Sequence, residues 1–333
     1  MKAFFINRYG KSDVLTSGEL PEPTLRDDDV LVQIHAAGVN PVDHKIRDGE
    51  FKLLLPYKMP LILGTDLAGV VVRVGPRVRR FKAGDEVYAR ADDDRIGTFA
   101  ELIAIKEDSL ALKPANLSME EAASIPLVAL TAWQTLVEKG RLKKGQKVLI
   151  HAGSGGVGTI AIQLAKHFGA TIATTASAVN ADMLKGLGAD IVIDYKKDDF
   201  STMLKGYDLV IDTQGGDTLK RSLRVLKPGG KLIGIAGPPD SDFAKLRGMN
   251  SFVRLVMWLL SYGIRNAARR SGTIYSFHFM TANGQQLAEI TRLIEAGHIR
   301  PVIDRIFPFE ETRQALAYVE TGRTKGKVVI KVH

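Results

Sequence analysis

The residues with the clearest chemical meaning are Gly153-Ser154-Gly155-Gly156-Val157-Gly158. They fit the spacing G-x-G-x-x-G between an apolar run, Lys147–Ala152, and an amphipathic one, Val157–Phe168. In that setting the first glycine allows a tight turn, the second lets backbone approach a pyrophosphate, and the third lets a helix pack close to a strand. The N–H groups that open the helix attract phosphate. The chemistry implied is dinucleotide binding. A site that selects a free ribose 2′-hydroxyl usually carries Asp or Glu about 20 residues past the loop. Here the next strand ends Thr174-Thr175-Ala176-Ser177, without a carboxylate, and Ser177, Asn180, Lys196 and Lys197 are available donors. That favours NADPH over NADH. The competing reading is that Ser177 and Asn180 cap the helix that follows.

A glycine loop works only on a strand–turn–helix frame, and the surrounding sequence supplies one. Strand-like runs at Thr171–Thr175, Asp190–Asp194, Tyr207–Asp212 and Lys231–Ala236 alternate with helical stretches at Val179–Leu187 and between the last two strands, up to Val225. Repeated units of this length predict a parallel, doubly wound sheet. The first ~120 residues differ, with short strand-like runs (Lys2–Asn7, Asp29–Gly38, Asp66–Val74, Glu86–Ala89, Phe99–Ile105) separated by Gly, Pro and Asp. From Met119 the spacing turns helical, with Ser118 as N-cap and Glu121 completing a capping box. The expected fold class is therefore α/β, with a β-rich domain over 1–120 and a dinucleotide-binding domain over 121–279. The latter carries a helical insertion at about 243–270, and residues from about 280 to 333, with a helix at Gln285–Ala296 and a last strand at Lys327–Val332, return to complete the first domain.

A chain of 333 residues suits two domains better than one. Cysteine is absent, which excludes disulfides, thiolate metal ligands and a cysteine nucleophile. The net charge of +9 suits an anionic ligand, and the clusters Arg77–Lys82 and Arg265–Arg270 lack the interleaved aromatics of a nucleic-acid module, so nucleic acid is not an expected partner. The longest apolar stretch, Ser251–Ile264, contains Arg254 and is too short for a membrane crossing. The opening MKAFFINRYG reads as a strand and not as a signal peptide, so a cytoplasmic protein is expected.

The glycine loop, taken with Ala37-Gly38-Val39-Asn40-Pro41-Val42-Asp43, Gly64-Thr65-Asp66-Leu67-Ala68-Gly69, Phe81-Lys82-Ala83-Gly84-Asp85, Leu187-Gly188-Ala189-Asp190 and the closing Thr324-Lys325-Gly326-Lys327, resembles the medium-chain dehydrogenase/reductase superfamily, in its zinc-independent quinone oxidoreductase branch. The resemblance runs over essentially the whole chain. It implies a GroES-like first domain, a Rossmann second domain, a cleft between them and a homodimer. It also implies that Ser154, Gly155, Gly156 and Val157 lie along the pyrophosphate, Ser177 near the 2′-phosphate and Tyr195 beside the adenine ribose. Asp212, Thr213, Gly215, Ala236 and Gly237 would pass the nicotinamide half, and Lys325 and Lys327 would reach the phosphates or else be solvated surface lysines. Zinc members carry a cysteine where this chain has Asn40 and a histidine within the Gly64-Thr65-Asp66 stretch. Both are lost here, so no metal is expected and alcohol oxidation is disfavoured.

Hydride transfer to a quinone or an α,β-unsaturated carbonyl develops charge on oxygen, which positioning and hydrogen bonding can stabilise. Asn40, Asp43 and Lys45, with Tyr57 farther on, are the candidate donors, and the structural alternative for Asp43 and Lys45 is a capping carboxylate and a surface amine. His44 is expected to be exposed. The leading function is an NADPH-dependent reductase of quinones or enones; the alternatives are an enoyl-thioester reductase and a non-catalytic NADPH-binding sensor. For the 243–270 insertion three uses compete, in the order a cover over substrate, a dimer contact, and a helix touching anionic lipid.

Overall fold

The computed structural model describes residues 1–52 and 54–333. In chain order the first elements are β1 (Lys2–Ile6), β2 (Leu15–Glu19), β3 (Asp29–Val39), α1 (Pro41–Arg47), β4 (Leu61–Ile62), β5 (Asp66–Val74), β6 (Glu86–Arg90), β7 (Leu102–Lys106), β8 (Leu110–Leu112), α2 (Met119–Ala123) and α3 (Pro126–Trp133). A regular alternation follows: β9 (Lys147–Ile150), α4 (Gly156–His167), β10 (Thr171–Ala176), α5 (Ala181–Gly186), β11 (Ile191–Asp194), α6 (Phe200–Met203), β12 (Tyr207–Asp212), α7 (Asp217–Ser222) and β13 (Leu226–Gly234). Next come α8 (Ser241–Leu246), α9 (Ser251–Leu260), α10 (Tyr262–Arg270) and β14 (Ile274–Phe277), and finally α11 (Gly284–Glu295), β15 (Ile303–Pro308), α12 (Thr312–Glu320) and β16 (Lys327–Lys331).

These elements form two compact units, Met1–Leu130 with Thr281–His333, and Thr131–Met280. The sequence places the division near residue 120, whereas in the structure it falls inside α3. The reason is packing: α2, closed by the Ser118–Glu121 capping box with bonds of 2.9 and 3.1 Å, buries Ala122 and Ala123 and lies on β3 and β5 of the first unit. Periodicity identified a helix but could not say which sheet it covers.

The first unit is built on a sheet in the order β15-β16-β3-β5-β6-β8, with β7 also pairing β3 and the smaller β2-β1-β4 sheet beside it. Its core contains Val30, Val32, Ile34, Leu67, Val71, Phe99, Leu110, Val328 and Ile330, all buried. The strand β16 thus lies inside this sheet, between β15 and β3, antiparallel to β3 with Val328 opposite Val39.

The second unit is a six-stranded parallel sheet in the order β11-β10-β9-β12-β13-β14. Its central strands are continuous apolar runs because both faces are covered by helices. Val148, Leu149 and Ile150 are fully buried, as are Val210 and Ile211, each side chain contributing about 1.5–3 kcal/mol of transfer free energy. The strand order reverses between β9 and β12, and ligands of such sheets bind at the carboxyl ends of the strands at that reversal. The single helical stretch expected from Phe243 to Arg270 is three helices, broken where Gly248 takes φ +64° and again at Ser261.

Candidate active site

At the end of β9 the chain turns through Ala152, whose φ of +52° is left-handed and strained for a residue with a Cβ, into the glycine loop. Gly155 caps α4, and the next N–H groups have no partner within the helix by geometry alone. The loop has no room at two of its glycines. A Cβ on Gly153 would stand 2.1 Å from Thr174 Oγ1, and one on Gly158 would stand 2.5 Å from the Ala152 carbonyl. A Cβ on Gly155 would meet only the Ala152 oxygen at 3.4 Å, so that glycine faces open space on the side where a pyrophosphate would lie. Ser154, Gly155, Gly156 and Val157 are partly open to solvent. The residues present fit a dinucleotide.

His151 and its surroundings hold this turn in place, and sequence reasoning did not single them out. The ring bonds Thr175 Oγ1 (3.0 Å) through Nδ1 and Ser222 Oγ (2.9 Å) through Nε2, and meets the Phe200 ring edge-on at 4.6 Å. Burial pushes its pKa down to about 3, so it is a neutral strut and not a catalytic acid. The Gly153 N–H donates to the Thr175 carbonyl at 3.0 Å, tying the loop to β10.

Beyond β10, Ser177 is half-buried and its hydroxyl makes no capping bond to the short turn Ala178–Asn180. On the adjacent strand Ala176 pairs with Asp194, whose carboxylate accepts the Lys196 N–H at 3.2 Å on its own turn. Tyr195, Lys196 and Lys197 project into solvent beside it.

At the end of β12, Asp212 Oδ1 accepts the N–H groups of Gln214 (2.9 Å) and Gly215 (2.7 Å), while Oδ2 is buried without a partner. Burial raises this carboxyl to about 6 and the two amides pull it partly back. Thr213 donates to the His151 carbonyl at 3.3 Å, joining the two strand ends across the reversal. Gly215, at φ +72°, lies so close to Ala236 that a Cβ would be 2.5 Å from its carbonyl. The sequence-predicted cofactor residues 153–158, 212, 213, 215, 236 and 237 therefore converge on one edge of one sheet. His278, just past β14 on this unit, is buried with neither ring nitrogen bonded to a described residue, and burial lowers its pKa to about 3.

In the first unit the predicted reacting groups form a closed network. Asn40 Nδ2 donates to Thr65 Oγ1 (3.2 Å) and Asp66 Oδ2 (2.9 Å), and its Oδ1 accepts from Lys327 Nζ. Lys327 also donates to the Val39 carbonyl (3.1 Å) and stands 3.4 Å from Asp66 Oδ2. Asp43 caps α1, accepting the Asn40 N–H at 2.7 Å and the Thr65 hydroxyl at 3.2 Å. All five side chains are buried. Burial pushes Asp43 up to about 7, with the neighbouring Asp66 adding to it; burial raises Asp66 and lowers Lys327 as well, each offset by the other's charge.

This arrangement corrects three expectations. Lys327 is neither a surface lysine nor directed at a phosphate, since its amine is turned inward onto three acceptors. Asn40 and Asp43 do lie together, but their polar atoms are satisfied within the network and turned away from solvent. His44 is half-buried instead of exposed, because α1 packs against α12. Lys45 extends to Glu50 at 4.0 Å, and Lys325 is exposed. Tyr57 differs from all of these: its hydroxyl is buried without a partner among the described residues, and burial, with Asp93 adding, raises its pKa far above the ordinary phenol value. It remains a neutral O–H donor.

Residues 26–115 match the pattern for an alcohol dehydrogenase GroES-like domain, and residues 187–330 that for a zinc-binding dehydrogenase. The chain is 34% identical to the zebrafish (Danio rerio) NAD(P)H oxidoreductase RTN4IP1, mitochondrial, over 100% of this chain and 91% of the relative. It is 36% identical to the Arabidopsis thaliana NADPH-dependent alkenal/one oxidoreductase, chloroplastic, over 99% of this chain and 79% of the relative. The solved structure of the quinone oxidoreductase from Coxiella burnetii superposes with a TM-score of 0.87 at 33% identity, covering 100% of this chain and 99% of that one. The chain belongs to the medium-chain dehydrogenase/reductase superfamily, in its quinone oxidoreductase branch, and is an oxidoreductase. The expectation of a cytoplasmic protein is overturned by these same names, which place relatives in mitochondria and chloroplasts.

The donor set does not fit the zinc of the matched pattern's description. The chain has no cysteine, the two positions where zinc members carry ligands hold Asn40 and the Thr65 stretch, and the Lys327 ammonium is the cation beside Asp66. Among the described residues no three His, Asp or Glu side chains are grouped to hold a metal.

Proposed function

We propose that the protein uses NADPH, in preference to NADH, to reduce quinones or α,β-unsaturated carbonyls without zinc. The observation that carries this reading is the carboxylate-free end of β10, where the uncommitted Ser177 hydroxyl lies beside the turn bearing Lys196 and Lys197. A 2′-phosphate meets donors and positive charge there, β10 itself contributes no acid, and the neighbouring Asp194 carboxylate is engaged by the Lys196 N–H on its own turn. The names of the Arabidopsis and Coxiella relatives support the acceptor class.

When bound, NADPH supplies the hydride. The α4 N-terminus and the loop 153–158 hold its pyrophosphate, and the Asp212–Gly215 turn and Ala236-Gly237 border the nicotinamide half. Tyr57 is the proposed donor to the acceptor's oxygen, because its phenol stays protonated and has no other partner among the described residues. Asn40 and Asp43 act as a scaffold behind it. The homodimer expected for the family would use β14, an edge strand that pairs only with β13 among the described residues.

The test is oxidation of NADPH and of NADH by the purified protein with ortho- and para-quinones, short enones and an enoyl-CoA. Turnover of quinones or enones with kcat/KM at least about tenfold higher for NADPH is expected. Strong preference for enoyl-CoA would replace this reading with a thioester reductase, and binding of NADPH without any turnover would replace it with a sensor.

A further inference from the structure

Between Phe243 and Thr273 the chain carries Lys245, Arg247, Arg254, Arg265, Arg269 and Arg270 and no Asp or Glu. In the middle of this basic stretch lies α9, whose polarity is the reverse of an ordinary surface helix. Its inward stripe is narrow, with Met257 buried and Ser261, at its end, fully buried. Phe252, Leu255, Val256, Leu259 and Leu260, spaced to share one helical face, all point into water; Phe252 is 73% exposed and Leu259 58%. A contiguous apolar face of this kind marks a contact surface.

The face is rigidly presented. Arg265 donates to the Trp258 carbonyl (2.9 Å) and to Ser261 Oγ (3.0 Å), and its guanidinium stands over the Trp258 ring at 5.2 Å. Trp258 in turn packs on Tyr262 with ring centroids 5.5 Å apart. The turn between α9 and α10 is thereby fixed, with aromatic rings at the border between the apolar face and the exposed Arg269 and Arg270.

We infer that α9 and α10 dock this protein on the surface of an anionic bilayer. The apolar face enters the acyl boundary, Trp258 and Tyr262 lie at headgroup level, and the arginines meet lipid phosphates. Charge selects this occupant over a second copy. An isologous contact on this face would bring two sets of six cations together with no carboxylate in the segment to offset them, whereas an anionic surface supplies the opposite sign. The helices lie on the membrane and do not cross it, because no described helix is long and apolar enough to span one. The order of uses expected from sequence is thus reversed for this segment, since these five apolar side chains stand exposed.

The experiment is co-sedimentation of the whole protein with vesicles of phosphatidylcholine alone and of phosphatidylcholine with about one-third phosphatidylglycerol, at low salt and at about 0.5 M salt. In a Trp133→Phe background Trp258 is the one tryptophan left, so its emission reports insertion. Partition into anionic vesicles at least about tenfold above neutral ones, weakened by salt and accompanied by a blue shift of Trp258, is the expected result. Leu255→Glu with Leu259→Glu should abolish it while circular dichroism stays unchanged, because both side chains already stand in water. Two outcomes overturn the inference: no partition into anionic vesicles at low salt, or light scattering that shows the same double variant converting a dimer to a monomer. Binding is read without turnover, so its failure leaves the reductase reading untouched.

Discussion

The buried charges of the Asn40–Asp66–Lys327 network depend on partners far away in sequence. Lys327 lies 261 positions after Asp66, so nothing local distinguishes the second lysine of TKGK from the solvated Lys325 two residues earlier. Its role became legible only through the register that sets β16 against β3. Lys327→Met removes the ammonium and leaves Asp43 and Asp66 buried together, and should cost about 3–5 kcal/mol in urea unfolding. Tyr57→Phe is the contrasting case. With no internal partner to lose, it should leave the melting temperature unchanged and lower kcat by about 10–100-fold; unchanged kcat would remove Tyr57 from the reaction. The two buried histidines set the acid side of stability. His151 and His278 have folded pKa values near 3, below the ordinary 6.5, so their contribution is fully present above pH 6.5 and lost as pH falls toward 3. Each should remove roughly 2 kcal/mol between pH 7 and pH 5. His278→Leu, which also deletes two unbonded ring nitrogens, should flatten that slope in thermal melts at a series of pH values.

Helices and strands were legible where a single physical cause dominates. The parallel strands β9 and β12 read directly because burial on both faces makes them unbroken apolar runs, and the glycine loop read because a turn, a ligand and a close packing contact each exclude a side chain. Element ends were less legible. β13 begins at Leu226, not Lys231, since Lys227-Pro228-Gly229-Gly230 has the composition of a turn yet continues the strand. β15 is not legible in the sequence, because Ile303–Pro308 lies at a sheet edge, leaves the consecutive Arg305 and Ile306 exposed and offers neither alternation nor an apolar run. The loop gives a graded test of its own glycines. Gly153→Ala and Gly158→Ala collide with Thr174 and Ala152 and should lower both stability and NADPH affinity. Gly155→Ala meets only one oxygen at ordinary contact distance, so it should leave the melting temperature of the free protein unchanged while weakening NADPH at least about tenfold, read by fluorescence titration. Equal NADPH affinity in Gly155→Ala would move the pyrophosphate elsewhere.

At the scale of the whole chain, two units with separate cores each carry a different part of the proposed chemistry: all the cofactor residues from 153 to 237 belong to Thr131–Met280, and Tyr57 with its scaffold to the other. Calorimetry should resolve two transitions. NADPH at about a hundred times its Kd should stabilise the one belonging to Thr131–Met280 by about 2.7 kcal/mol. A single transition would show that the units unfold together. The position of β16 has a consequence for how the protein is made. The unit Thr131–Met280 is contiguous and can close as soon as it leaves the ribosome, whereas β3 must wait for a neighbour 288 positions downstream, and with it for the only ammonium that β16 brings to Asp66. Until then the older half of the chain holds an open sheet seam with uncompensated acids at its centre. A stalled or truncated chain would therefore present a finished nucleotide fold attached to an unfinished sheet with an exposed strand edge.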